Sequence, residues 1–157
     1  MHDNVVEVFK NVYFWSALMA WLTAQFTKML CGFYWTHRLD FSYLASTGGM
    51  PSAHSASASG LAACIGIMQG FGSPIFILGL TFAIIVMFDA STVRRAAGLQ
   101  ARLLNEIIDE LFKEHRLSER KLAELLGHTR LEVFMGMIIG ILVAMLVTSA
   151  GVWMHSA

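Results

Sequence analysis

Charge is scarce in this sequence. Only 14% of its 157 residues are Asp, Glu, Lys or Arg, against about 25% in an average soluble domain. Eleven cations balance eleven anions, so neither sign is in excess. That excludes a polybasic nucleic-acid binder, which needs a strongly positive face. It also excludes an intrinsically disordered chain, which needs low hydrophobicity with high net charge. Proline and cysteine, at two residues each, are nearly as rare. So few prolines leave long helices uninterrupted. Cys31 and Cys64 show neither disulfide-framework nor metal-site spacing and read as packing residues in apolar surroundings. What abounds is apolar: 56% of the chain, with ten Met and eleven Phe. This is the composition of a membrane protein.

The charges that exist are unevenly placed. Residues 11–27 carry none, and after Lys28 the next is Arg38. Residues 55–88 and 133–153 contain no Asp, Glu, Lys, Arg or His. A bilayer core of about 30 Å needs about 20 apolar residues at about 1.5 Å each. The first and last runs are long enough. The middle one is too long for a single crossing and holds a turn signal, Gly70-Phe71-Gly72-Ser73-Pro74. The pattern predicts an all-α integral membrane bundle of about four spans, near residues 11–35, 52–69, 73–94 and 130–153. A re-entrant pair in the middle is the alternative. The acidic-leaning start (Asp3, Glu7) does not suit a cleaved signal peptide.

One charged stretch, residues 94–130, separates the last two spans. Leu103, Leu104, Ile107, Ile108, Leu111 and Phe112 recur at helical spacing, with Asn105, Glu106, Asp109, Glu110 and Lys113 opposite. Residues 99–127 therefore read as an amphipathic segment, lying at the membrane surface or packed over the bundle. A second short helix is expected from Ser118, an N-cap, to Gly127, a C-terminal stop. With four spans, nine of the eleven Lys and Arg fall on one face, which the positive-inside rule assigns to the cytoplasm.

His54, Asp89, Arg94, Arg95, His128 and Glu132 belong to that same face, and so does Lys28 near the inner end of the first span. Ionisable residues in or beside spans are costly and by default mark function, although a lysine such as Lys28 also reaches the interface by snorkelling. Gly48 and Gly49 permit close approach of the backbone. Pro51 suits a first helical turn and Ser52 an N-cap, so the start of the second span offers free amides to an anion. His54 in that turn is placed to hand on a proton. Thr129 and Glu132 form a capping box, which suffices to explain both residues. The sharper reading has Glu132 orienting His128 as a nucleophile toward phosphorus. Arg94 and Arg95, read as the end of the third span, complement a helix C-terminus, bind anionic headgroups or clamp phosphoryl oxygens. No zinc- or magnesium-type ligand set and no P-loop is present, so neither metal nor cofactor is expected.

Three pieces carry a resemblance: Gly48-Gly49-Met50-Pro51-Ser52-Ala53-His54-Ser55-Ala56, Asp89-Ala90…Val93-Arg94-Arg95-Ala96-Ala97-Gly98, and Gly127-His128-Thr129…Glu132-Val133. In this order the chain resembles the divergent branch of the type 2 phosphatidic acid phosphatase family, related to acid phosphatases and vanadium-dependent haloperoxidases. The likeness implies a metal-free phosphatase site. His128 is then the nucleophile, His54 the general acid and Glu132 the orienting carboxylate. Lys28, Arg38 and Ser52 hold the phosphate, and Asp89 and Gly49 support the site. The pattern departs from the wider superfamily in several places. Lys28 and Arg38 are set further apart, Glu replaces Asp at 132, and Leu122 stands where an arginine is usual. Arg94 or Arg95 is our substitute for that arginine.

The leading expectation is a membrane phosphatase acting on a lipid phosphate or diphosphate through a phosphohistidine. Phosphatidic acid, phosphatidylglycerophosphate and prenyl diphosphates are substrates by family analogy alone. A non-catalytic lipid-phosphate binder, carrier or scaffold is the alternative. A membrane assembly partner that docks through the amphipathic segment is a third. Partners are then membrane lipids and the phospholipid or prenyl phosphate, with no nucleic acid, and the oligomeric state stays open.

Overall fold

Caps fix where each helix begins. The computed structural model describes residues 7–37, 49–111 and 127–155. Helix α1, Val12–Thr36, starts at Asn11, whose side chain accepts the Tyr13 amide at 2.9 Å. It ends at His37, which is left-handed with φ 51°. Helix α2, Ala53–Gln69, is capped by buried Ser52 and stops at Gly70, where φ is +86°. Helix α3, Pro74–Ser91, opens on Ser73 with proline in its first turn, the place where a missing N–H costs nothing. Helix α4 is Val93–Leu111 and helix α5 is Arg130–His155.

The join between α3 and α4 differs from the expected span to about residue 94. The helix breaks at Thr92 (φ −122°, ψ −69°). The Thr92 hydroxyl donates to the Phe88 carbonyl at 2.5 Å, and that of Ser91 to Met87 at 3.0 Å. Hydroxyls bonding back onto the preceding turn bend helices. Arg94 and Arg95 consequently stand in the first turn of α4, not at the end of α3 as expected. The amphipathic helix begins earlier than residue 99. Asn105, assigned from sequence to the polar outer face, is buried, while Leu99, Leu103, Leu104 and Ile107 are exposed. The apolar face of α4 thus turns away from the bundle. The short helix expected at residues 118–127 lies almost wholly outside the described residues.

Helix α2 is central, packing on α1, α3 and α5, and α1 also touches α5. What lets the helices close is the size of the facing residues. Ser16, Ala20 and Ala24 on α1, and Ser52, Ala56 and Gly60 on α2, recur every four residues and are all buried. On α5 the matching positions are Gly136, Gly140 and Ala144. A Cβ on Gly140 would strike the Ala56 carbonyl and the Ser59 hydroxyl, and one on Gly136 the Ser52 carbonyl. A Cβ on Gly60 would lie 2.9 Å from Ala20 Cβ and 3.2 Å from the Gly140 carbonyl, so this residue touches both neighbouring helices. Hydroxyls bridge the same seams: Ser16 donates to the Gly60 carbonyl at 3.0 Å and Ser59 to that of Met137 at 3.2 Å.

The core is therefore alanine, serine and glycine, while Phe82, Ile85, Phe88, Leu142 and Leu146 are exposed. Small residues inside and bulky apolar residues outside are the arrangement that lipid demands, because packing and interhelical hydrogen bonds drive association there. The chain is an all-helical membrane bundle. Among the described residues, the run Pro74–Ile108, which spans α3 and most of α4, and Arg130–Ala150 in α5 are long and apolar enough by length and composition to cross a bilayer. Helix α2 has only 17 residues, and three neighbours enclose it, so it can be small-residue-rich without facing lipid chains all round.

Candidate active site

The buried seams lead directly to the ionisable residues. Four residues beyond Ala24 on α1 comes Lys28, and four before Gly136 on α5 comes Glu132, with His128 four before that. Helical periodicity puts Lys28 and Glu132 on the stripes that pack inward, and His128 joins them from just ahead of α5. Lys28 is only 3% exposed, so it does not snorkel outward. The charge of Glu132 acts on its ammonium. Gly49, at φ +87°, lies against the lysine stem, and a Cβ there would be 3.6 Å from Lys28 Cδ. The backbone reaches this place in a conformation that favours glycine.

His128 sits just ahead of α5 and is 2% exposed. Its amide donates to the Ala90 carbonyl at 2.9 Å, tying it to the end of α3. Its Nδ1 lies 2.9 Å from Glu132 Oε2. The same carboxylate oxygen accepts the Thr129 amide at 3.2 Å, and Thr129 Oγ1 accepts the Glu132 amide at 3.3 Å. The capping box and the imidazole contact thus exist together. In a neutral imidazole that donates Nδ1–H to this carboxylate, Nε2 carries the lone pair. Nε2 is buried and has no hydrogen-bond partner among the described residues.

Ser52 is fully buried, and its amide donates to the Glu132 carbonyl at 3.0 Å. Its hydroxyl accepts the Ser55 amide at 3.4 Å and the Ser55 hydroxyl at 3.0 Å. The amide of Ser52, a residue expected to help hold the phosphate, is therefore committed to holding α2 against α5. His54, half-buried, stands in the first turn of α2, and Asp89, half-buried, is next to the Ala90 that holds His128. Arg95 is exposed. Arg94 is the second residue of α4. Arg38 lies outside the described residues.

Lys28, Gly49, Ser52, His128 and Glu132 are thus brought to one end of the bundle, where α1, α2, α3 and α5 meet. Residue-type reasoning missed the two backbone struts, Ala90 to His128 and Ser52 to Glu132. It also missed the seam that aims the side chains, although Gly136-x3-Gly140 and Ser52-x3-Ala56-x3-Gly60 were visible spacings. Among the described residues no group of three His, Cys, Asp or Glu is placed to hold a metal ion.

Comparison with known proteins agrees with this arrangement of motifs. The family model described as the divergent PAP2 family matches residues 9–143. The uncharacterized membrane protein YuiD of Bacillus subtilis (strain 168) is 36% identical over 151 residues, covering 89% of this chain and 96% of its own. No solved structure matches. With the match running from α1 into α5 and taking in every motif named above, the chain belongs to the divergent PAP2 family.

Proposed function

We propose that the protein is a metal-independent phosphatase of membrane lipid phosphates, working through a phosphohistidine at His128. The observation that carries this reading is the His128 ring: Nδ1 held by Glu132, Nε2 buried and without a hydrogen-bond partner among the described residues. A neutral imidazole fixed in that tautomer presents its lone pair at Nε2. Nε2 attacks phosphorus, and the bond from phosphorus to the lipid oxygen breaks. The electron pair goes to that oxygen, which takes a proton from the His54 imidazolium. Water then attacks the phosphohistidine while neutral His54 accepts its proton. The P–N bond breaks, returning the pair to Nε2 and releasing phosphate.

The Lys28 ammonium, held in place before the reaction, offsets charge on the phosphoryl oxygens, usually the largest contribution in such sites. Arg38, Arg94 and Arg95 are the further cations of this reading. Helices α1, α2, α3 and α5 are its four spans, with the site at the cytoplasmic face.

The test is phosphate release from a panel of lipid phosphates with chelator present, comparing wild type, His54→Ala and His128→Ala at equal folded content. The expected result is chelator-resistant turnover, lost by at least about 10³-fold in the His128 variant, with acid-labile phosphate trapped on His128 during turnover. Binding of lipid phosphates without turnover on any of them overturns the reading in favour of a lipid-phosphate carrier or scaffold.

A further inference from the structure

We infer that the cleft walled by α2, α3 and α5 seats one alkyl chain of the lipid whose phosphate lies at His128, and that the Phe71–Phe76 ring pair ends the cleft and limits chain length. This rests on the proposed lipid-phosphate reading and adds where the tail lies.

The cleft follows from how α3 and α5 are held. At the site end the Ala90 carbonyl is bonded to the His128 amide. Farther along, these two helices touch only sparsely, and α2 fills the floor between them with small residues, Ser59, Ala62 and Ala63. The result is a cavity of about 320 Å³. That is the low end of the range for small-ligand sites. Its walls include Met87 on α3 and Met137 on α5. Met87 stands three residues before Ala90, and Met137 five residues after Glu132, so the cleft starts one to two helical turns below the site. Thioether side chains adapt to flexible apolar ligands.

The far end is closed by design of the turn. Phe71 and Phe76 meet edge to face, with centroids 5.1 Å apart. Beneath them Gly66 leaves the space they occupy: a Cβ there would fall 2.5 Å from the Phe71 ring and 2.9 Å from that of Phe76. From Met87 to Phe76 the wall of α3 runs eleven residues, about 16 Å at about 1.5 Å per residue. This is a finite apolar slot whose Met87 and Met137 end lies one to two helical turns from the proposed phosphate site. One chain of a substrate drawn from the bilayer fits it; the rest of the lipid stays outside.

The test uses the full-length protein in phosphatidylcholine nanodiscs with chelator. The probe is hexadecyl phosphate bearing a diazirine on its terminal carbon, and the same diazirine on hexadecanol is the control. After photolysis, labelled residues are mapped by mass spectrometry. The expected result is labelling of Ile67, Phe71 or Phe76 at least about fivefold above the exposed outer residues Phe82 and Leu146. The alcohol should show no such preference. Ala63→Trp, at a half-buried lining position, should abolish the preference while the fold stays intact. Phe71→Ala should extend turnover or labelling to eicosyl phosphate.

Scattered labelling, or equal labelling by phosphate and alcohol, overturns the inference. Focused labelling without phosphate release leaves the cleft standing and defeats the phosphatase. Phosphate release with scattered labelling does the reverse.

Discussion

Nδ1 of His128 and Oε2 of Glu132 are 2.9 Å apart, and that oxygen also accepts the Thr129 amide. One carboxylate thereby caps α5 and holds the imidazole. The two roles are separable because glutamine also serves in a capping box but carries no charge to stabilise an imidazolium. Glu132→Gln should keep its unfolding midpoint within a few degrees of wild type in detergent. Turnover should fall by up to about 10⁴-fold, the loss that a comparable carboxylate-to-amide change behind a catalytic histidine brings. Equal activity in the variant would leave Glu132 as a cap alone.

The Glu132 carboxylate acts electrostatically on the Lys28 ammonium across the α1–α5 contact. Removing the cation leaves that carboxylate less well compensated. Lys28→Met, which keeps most of the stem, should lower stability by about 1–3 kcal/mol and abolish turnover. Adding Glu132→Gln should recover part of the stability and none of the activity. A double-mutant cycle on thermal unfolding checks the coupling; additive effects would show that the two side chains do not interact.

At Gly140 there is no room for a single methyl group, since it would meet the backbone of Ala56. Gly72 in the α2–α3 turn has nothing within 4 Å of the same position. Gly140→Ala should therefore lose about 1–3 kcal/mol or more through overpacking, while Gly72→Ala stays near neutral. Detergent unfolding of the two variants side by side decides the matter, and equal midpoints would mean the α2–α5 seam is looser than described.

If α2 and α3 both cross the bilayer, Gly72 and Arg102 lie on opposite sides. In a background with Cys31 and Cys64 replaced, Gly72→Cys should react with an impermeant maleimide from outside intact cells. Arg102→Cys should react only after permeabilisation. Labelling of both from the same side would refute the four-span arrangement.

Much of this architecture was legible because membrane helices need length without charge, and residues 11–27, 55–88 and 133–153 announce that directly. The grouping of His128 with Glu132 was legible because a capping box turns its glutamate back over the residues just before the helix. The break at Thr92 was not, since hydroxyl back-bonding leaves the apolar pattern unchanged, and Arg94 and Arg95 were placed on the wrong helix as a result. The orientation of α4 was misread at Asn105 for a related reason. Periodicity finds two faces but does not say which one meets the bundle. The Ala90 and Ser52 struts were invisible because they use main-chain groups, which every residue type has.

Gly60 touches α1 and α5 at once, and that has a consequence for how the protein matures. Gly136 and Gly140 already seat α5 on α2, but Gly60 completes its contacts only when α1 has docked as well. The same docking brings Lys28 of α1 to Glu132 of α5. Formation of the proposed site and completion of the tertiary structure then go together. On the phosphatase reading proposed above, turnover in a given detergent or lipid becomes a direct gauge of assembly, and partly inserted chains are silent.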